Sequence, residues 1–230
     1  MEIIKNEAED GKVFVNKLAA AERQLSAAIR MYFMEEDPLA IHTVASAAMN
    51  LYADLLKRRG KDPAIFGIVY GLLRAARDYI DGNLAKEDVE KWGDGAFEAL
   101  EPFIEMLRND PELNVDEIRV SGPPAYVQEF WREKRKSYNF LKHADRDHAK
   151  LLDQAHLNNE DLIFQAIGCA AHLNCEMTHE KEMFFAAMVV LGKLKKPDWD
   201  SELISAMTAH PPDEMMRRAR KVLCYSRVDD

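Results

Sequence analysis

The chain is poor in cysteine, in positive charge and in long apolar runs, and each shortage excludes something. Cys169, Cys175 and Cys224 are its only cysteines in 230 residues. So odd and sparse a set excludes a disulfide-stapled secreted scaffold. It fits a reduced, cytoplasmic protein whose thiols serve as small apolar residues. Cys169 and Cys175 stand about 120° apart on one helical wheel, so they cannot bridge each other within that helix. Lys and Arg number 31 against 40 Asp and Glu, for a net charge of −9. Affinity for a nucleic-acid backbone comes mainly from cations neutralising phosphates, so non-specific DNA or RNA binding is not expected. The basic cluster Met216 to Lys221 reads as a solvated helix face. The longest apolar run, "MFFAAMVVLG", is far short of a membrane span. The acidic "MEIIKNEAED" lacks the basic and apolar regions of a signal peptide. No membrane partner is expected.

Strand-like alternation is also missing. Apolar residues recur at helical spacing almost throughout, punctuated by Gly, Pro and Asp. The pattern predicts an all-α fold, a multi-helix antiparallel bundle with short loops. A chain of this length buries about 70% of its unfolded surface and needs no covalent staple. One helical domain over 1–230 is expected, with the weakly periodic 109–123 as the place for a sub-division. Helices are predicted from about Val13 to Phe33, from Pro38 (capped by Asp37) to "KRRG", and from Pro63 to about Ile80. Further helices are predicted from Ala96 to Arg108, from Pro124 to about Ala144, and as a short piece near 147–154. The last group runs from Asn158 or Asn159 to about Met177, from Thr178 to about Lys195, and as two short helices split by "HPPD".

Nucleophilic and phosphate-cradling signatures are absent: there is no G-x-S-x-G elbow and no Gly-rich loop. Two carboxylate-x-x-His pairs, Asp153 with His156 and Glu176 with His179, supply half the ligand set of a di-metal carboxylate bundle. The two further glutamates such a centre needs cannot be identified, so no metal and no cofactor is expected. His42, set among small apolar residues, reads as a buried histidine bonded to a facing helix.

The densest run of chemically capable residues is "YNFLKHADRDHAKLL", residues 138–152. On a wheel begun at Phe130, Ser137, Leu141 and Ala144 share the apolar side. Arg132, Lys136, Asn139 and His143 gather opposite. An imidazole can move protons near neutral pH, and neighbouring cations can stabilise a phosphoryl oxygen. The candidate catalytic residues are therefore His143, oriented by Asn139, and the candidate anion-binding residues are Lys136 and Arg132. The bland reading is an exposed helix face.

"KLAAAERQLSAAIRMYFMEEDPLAIHTVASAAMNLYADLL", followed downstream by "NFLKHADRD", resembles an uncharacterised family of bacterial all-helical proteins. More distantly, a helical pair followed by Asn-x3-His is similar to the HEPN superfamily. Its ribonuclease members use an Arg, a polar residue and a His to cut RNA without metal, often across a dimer. That resemblance implies a catalytic role for Asn139 and His143 and a homo-oligomeric state. Tyr138 fills the Arg slot, and Lys136, at a permitted spacing, cannot reproduce the bidentate grip of guanidinium on phosphate. The expected function is a binding or interaction module with a protein or nucleotide partner. The alternatives are a HEPN-like, metal-independent enzyme acting through His143 and a metal-binding bundle. Self-association is further expected from the Ala-rich "LAAAERQLSAAI" and "VASAAM".

Overall fold

The computed structural model describes residues 14–114, 117–118, 124–143, 149–194, 202, 205–206 and 209–225. Among them there is no strand, and nine α-helices make an all-α fold. The first helix, α1 (Lys17–Phe33), begins where the Asn16 side chain accepts the Ala19 N–H at 2.8 Å. Helix α2 (Pro38–Arg58) begins where Asp37 accepts the Leu39 N–H at 2.8 Å. It ends in Lys57 and Arg58, cations that suit the negative pole of the helix dipole. Gly60 then turns the chain in the left-handed region at φ 76°. Asp62 caps α3 (Pro63–Ile80) through the Ala64 N–H, and Pro63 fills the first turn, where no donor is needed.

The short α4 (Lys86–Glu90), α5 (Ala96–Asn109) and α6 (Pro124–Lys142) follow. A 3-10 turn at Gln154–His156 precedes α7 (Asn159–His172), α8 (His179–Val190) and α9 (Pro212–Tyr225). Asn158 caps α7, accepting the Asp161 N–H at 2.9 Å.

Three expectations shift, the first being α8, which ends at Val190 rather than near Lys195, with Gly192 just beyond it in the left-handed region at φ 70°. Helix α7 stops at His172 rather than near Met177. Asn174 adopts φ 59°, and the Cys175 N–H bonds back to the Ala170 carbonyl at 3.0 Å, closing the helix in the Schellman manner. The short helix expected near 147–154 is replaced, over its described part, by a turn at Ala149 and irregular chain to Asp153. Residues 144–148 and the first of the two terminal short helices lie outside, or almost wholly outside, the described residues.

The chain forms two compact units, one of Met1–Leu55 with Arg135–Asp230 and the other of Leu56–Lys134. In the first, α1 buries Ala21, Leu25, Ala28, Ile29 and Phe33 along one stripe, each 0% exposed. Stripes on α2, α7 and α9 complete this core, together with α8, which buries residues on most of its sides. Of the alanines in "LAAAERQLSAAI" and "VASAAM", Ala21, Ala28, Ala45 and Ala48 are fully buried, and Ala19, Ala20, Ala27 and Ala47 are half-buried. By length and composition α2 could cross a membrane, yet half of its apolar window is buried in the folded chain.

The second unit packs Ile65, Val69, Leu73 and Ala76 of α3 against Leu100, Phe103, Ile104 and Leu107 of α5. Spacings of four, four and three residues put the α3 set on a single stripe. Burying such aliphatic side chains contributes roughly 1.5–3 kcal/mol apiece. The indole N–H of Trp131 donates to Asp62 at 3.0 Å, with the Lys57 ammonium 4.3 Å from the centre of its ring. Residues 109–123 fall inside this unit rather than between the two.

Candidate functional site

Helix α6 carries the residues singled out in the sequence. Its hydrogen bonding persists to its end, where the His143 N–H donates to the Asn139 carbonyl at 3.0 Å. Helical spacing therefore puts Lys136, Asn139 and His143 on one face. Lys136 and Asn139 are exposed and His143 is half-buried. Arg132 belongs to the stretch of α6 in the second unit, where its guanidinium pairs with Glu129 and lies 3.6 Å from Glu133. Two carboxylates leave it little net charge for an anion. Asp145, Asp147 and His148 lie outside the described residues.

Arg135, passed over in the sequence, anchors this part of α6. Its Nε–H donates to Asn50 Oδ1 at 2.8 Å, and its guanidinium stands 4.0 Å from Asp54.

The two carboxylate–histidine pairs do not come together as a metal centre. Asp153 and His156 form an exposed pair, 3.4 Å apart, within the 3-10 turn. Asp153 also caps that turn through the Ala155 N–H. Glu176 and His179 are exposed on either side of Thr178. Among the described residues no three His, Cys, Asp or Glu side chains converge, which falls short of the three or four protein ligands a zinc site needs.

The sequence reading missed a polar network inside the first unit. Lys181 is 2% exposed, and its Nζ donates to Glu22 at 2.7 Å and to the Glu176 carbonyl at 2.9 Å. The other Glu22 oxygen accepts the Tyr52 hydroxyl. Burial, helped by Glu22, pushes the Tyr52 phenol well above its usual value, so it acts as a donor. Nearby, the Tyr32 hydroxyl donates to Glu160 at 2.6 Å, and Lys193 bonds the second Glu160 oxygen. Burial works against the Glu160 charge, but the bonds from Lys193 and Tyr32 outweigh it and hold the carboxyl below its ordinary range. Arg30 and Glu180 pair at 2.9 Å. These contacts tie α1 to α2, α7 and α8, and their capacity is mechanical.

Cys169 lies 3.7 Å from the Met49 sulfur, and burial pushes its thiol up to about 12, which removes it as a nucleophile. A depression of about 240 Å³ at the start of α7 is lined by Glu160, Asp161, Phe164 and Lys193 among others. That is below the ~300–1,000 Å³ typical of small-molecule sites.

The outer face of α3 is different. Gly67 and Gly71 sit one turn apart, both exposed, and a Cβ added to either would meet nothing within 4 Å. Ile68, 44% exposed, and Tyr70, 52% exposed, flank this pair on opposite sides of the wheel.

No protein-family model, curated protein or solved structure matches the chain.

Proposed function

We propose that this chain is a binding module that works by self-association through the outer face of α3, without chemistry of its own. The observation that carries the reading is the glycine pair. A glycine inside a helix costs about 1 kcal/mol relative to alanine, and neither Gly67 nor Gly71 is required by a neighbour within 4 Å. Small residues four apart let a second backbone approach closely, and Ile68 with Tyr70 would wall the groove so formed. The occupant is a second copy presenting the same face, an isologous contact of the commonest oligomeric type. Sedimentation of the intact protein alongside a Gly67→Arg, Gly71→Arg variant tests it: the wild type should associate at micromolar concentration and the variant should not.

A second reading, an enzyme acting on an RNA or nucleotide phosphate through His143, is favoured by one observation. Lys136, Asn139 and His143 share a face of α6, and Lys136 and Asn139 are open to water. A phosphodiester cleavage assay on the purified protein and on His143→Ala tests it.

A further inference from the structure

His42 lies on the inward face of α2 and is 7% exposed. It is met by Asn159, the first residue of α7. The Asn159 Nδ2 donates to the Pro38 carbonyl at 2.9 Å, which turns its Oδ1 toward the imidazole, 2.9 Å from His42 Nδ1. An amide oxygen can only accept, so Nδ1 carries the ring proton and Nε2 holds the lone pair. Nε2 is buried and meets no hydrogen-bond partner among the described residues, and the same holds for the Ser46 hydroxyl one turn further along α2. The neutral ring is thus tied at one nitrogen and bare at the other.

A proton added at Nε2 would bury a charged N–H without an acceptor, a cost borne by the folded chain alone. Of the described acidic groups near the starts of α2 and α7, four have partners of their own. Asp37 accepts the amides of Leu39 and Ala40, and Glu35 pairs with Arg220. Glu160 holds Tyr32 and Lys193, and Asp161 accepts the Gln165 amide.

From this arrangement we infer that His42 and Asn159 form an acid-sensitive latch joining the starts of α2 and α7, closed while the imidazole is neutral and opened on protonation, when the cost of a buried charge at Nε2 outweighs the retained Nδ1–H bond to Asn159. Burial holds His42 below its ordinary value of 6.5, and the bond to Asn159 opposes that in part. The unfolded chain therefore takes up the proton first. The contribution to stability is complete above pH 6.5 and is lost as the pH falls below it, toward the depressed folded value.

Imidazole NMR titration of the intact protein tests the latch without any substitution. His42 should appear as the Nδ1–H tautomer and titrate below the ordinary histidine value of 6.5. Hydrogen exchange, corrected for intrinsic rates, should speed up in the first turns of α7 as the pH falls from 6.5 to 5, with no matching change in α3. His42→Leu should flatten the dependence of melting temperature on pH over the same interval. Should that variant not fold, the titration and exchange results still decide. A His42 midpoint at or above the ordinary 6.5, the opposite tautomer, or equal opening of α7 and α3 would overturn the inference.

Discussion

Replacing Lys181 with methionine keeps the length and apolar stem of the side chain and deletes its charge. The ammonium is almost wholly buried and holds two acceptors, Glu22 and the Glu176 carbonyl. Removing one partner of a buried pair typically costs ~3–5 kcal/mol, because the other charge is left uncompensated. Glu22 is about a quarter exposed and keeps the Tyr52 hydroxyl. Water can therefore relieve part of the penalty, and the expected loss falls below that range, about 2–3 kcal/mol. For a chain of this length that lowers the melting temperature by roughly 5–10 °C. Adding Glu22→Gln should restore a good part of the loss, since glutamine still accepts from Tyr52 and carries no orphaned charge. Thermal unfolding followed by circular dichroism, run as a double-mutant cycle, reads the coupling directly. Single-variant losses that simply add, or a Lys181→Met protein as stable as wild type, would refute the reasoning.

Glu160, held below its ordinary 4.5, stabilises the fold above that pH and loses its contribution as the pH falls through its folded value. Glu160→Gln should therefore melt earlier than wild type at pH 7, and the gap should narrow progressively as the pH is lowered below 4.5; a constant gap would contradict this. His143→Ala should leave the melting temperature within about 2 °C of wild type, because the side chain is only half-buried. A large drop would mark His143 as a core residue.

Helix starts were legible because their chemistry is local. Asp37-Pro38, Asp62-Pro63 and Asn158 announce a cap and a first turn in adjacent residues. The early end of α7 was not, since the left-handed residue there is Asn174 rather than glycine. Two signals for the polar network were present and overlooked. Glu22 stands three and seven residues before Leu25 and Ile29, and Lys181 three and seven before Phe184 and Met188. Glu22 sits on the apolar stripe of α1, and Lys181 sits among the apolar residues that encircle α8. What no periodicity could supply is that α1 packs on α8, which brings the opposite charges together. The burial of His42 against a facing helix was readable from its small neighbours; its partner Asn159, 117 residues away, was not. The wheel put the polar stripe of α6 outward, as found for Lys136 and Asn139, but gave no hint that Arg135 would reach Asn50.

The exposed glycine pair on α3 is the crux, and sedimentation velocity across a concentration series from about 1 to 100 µM is its most direct measurement. Wild type should shift from one chain toward two as concentration rises, and Gly67→Arg, Gly71→Arg should remain at one with its helical signal intact. A wild-type protein that sediments as a single chain at every concentration, or a variant that associates equally well, would contradict the account.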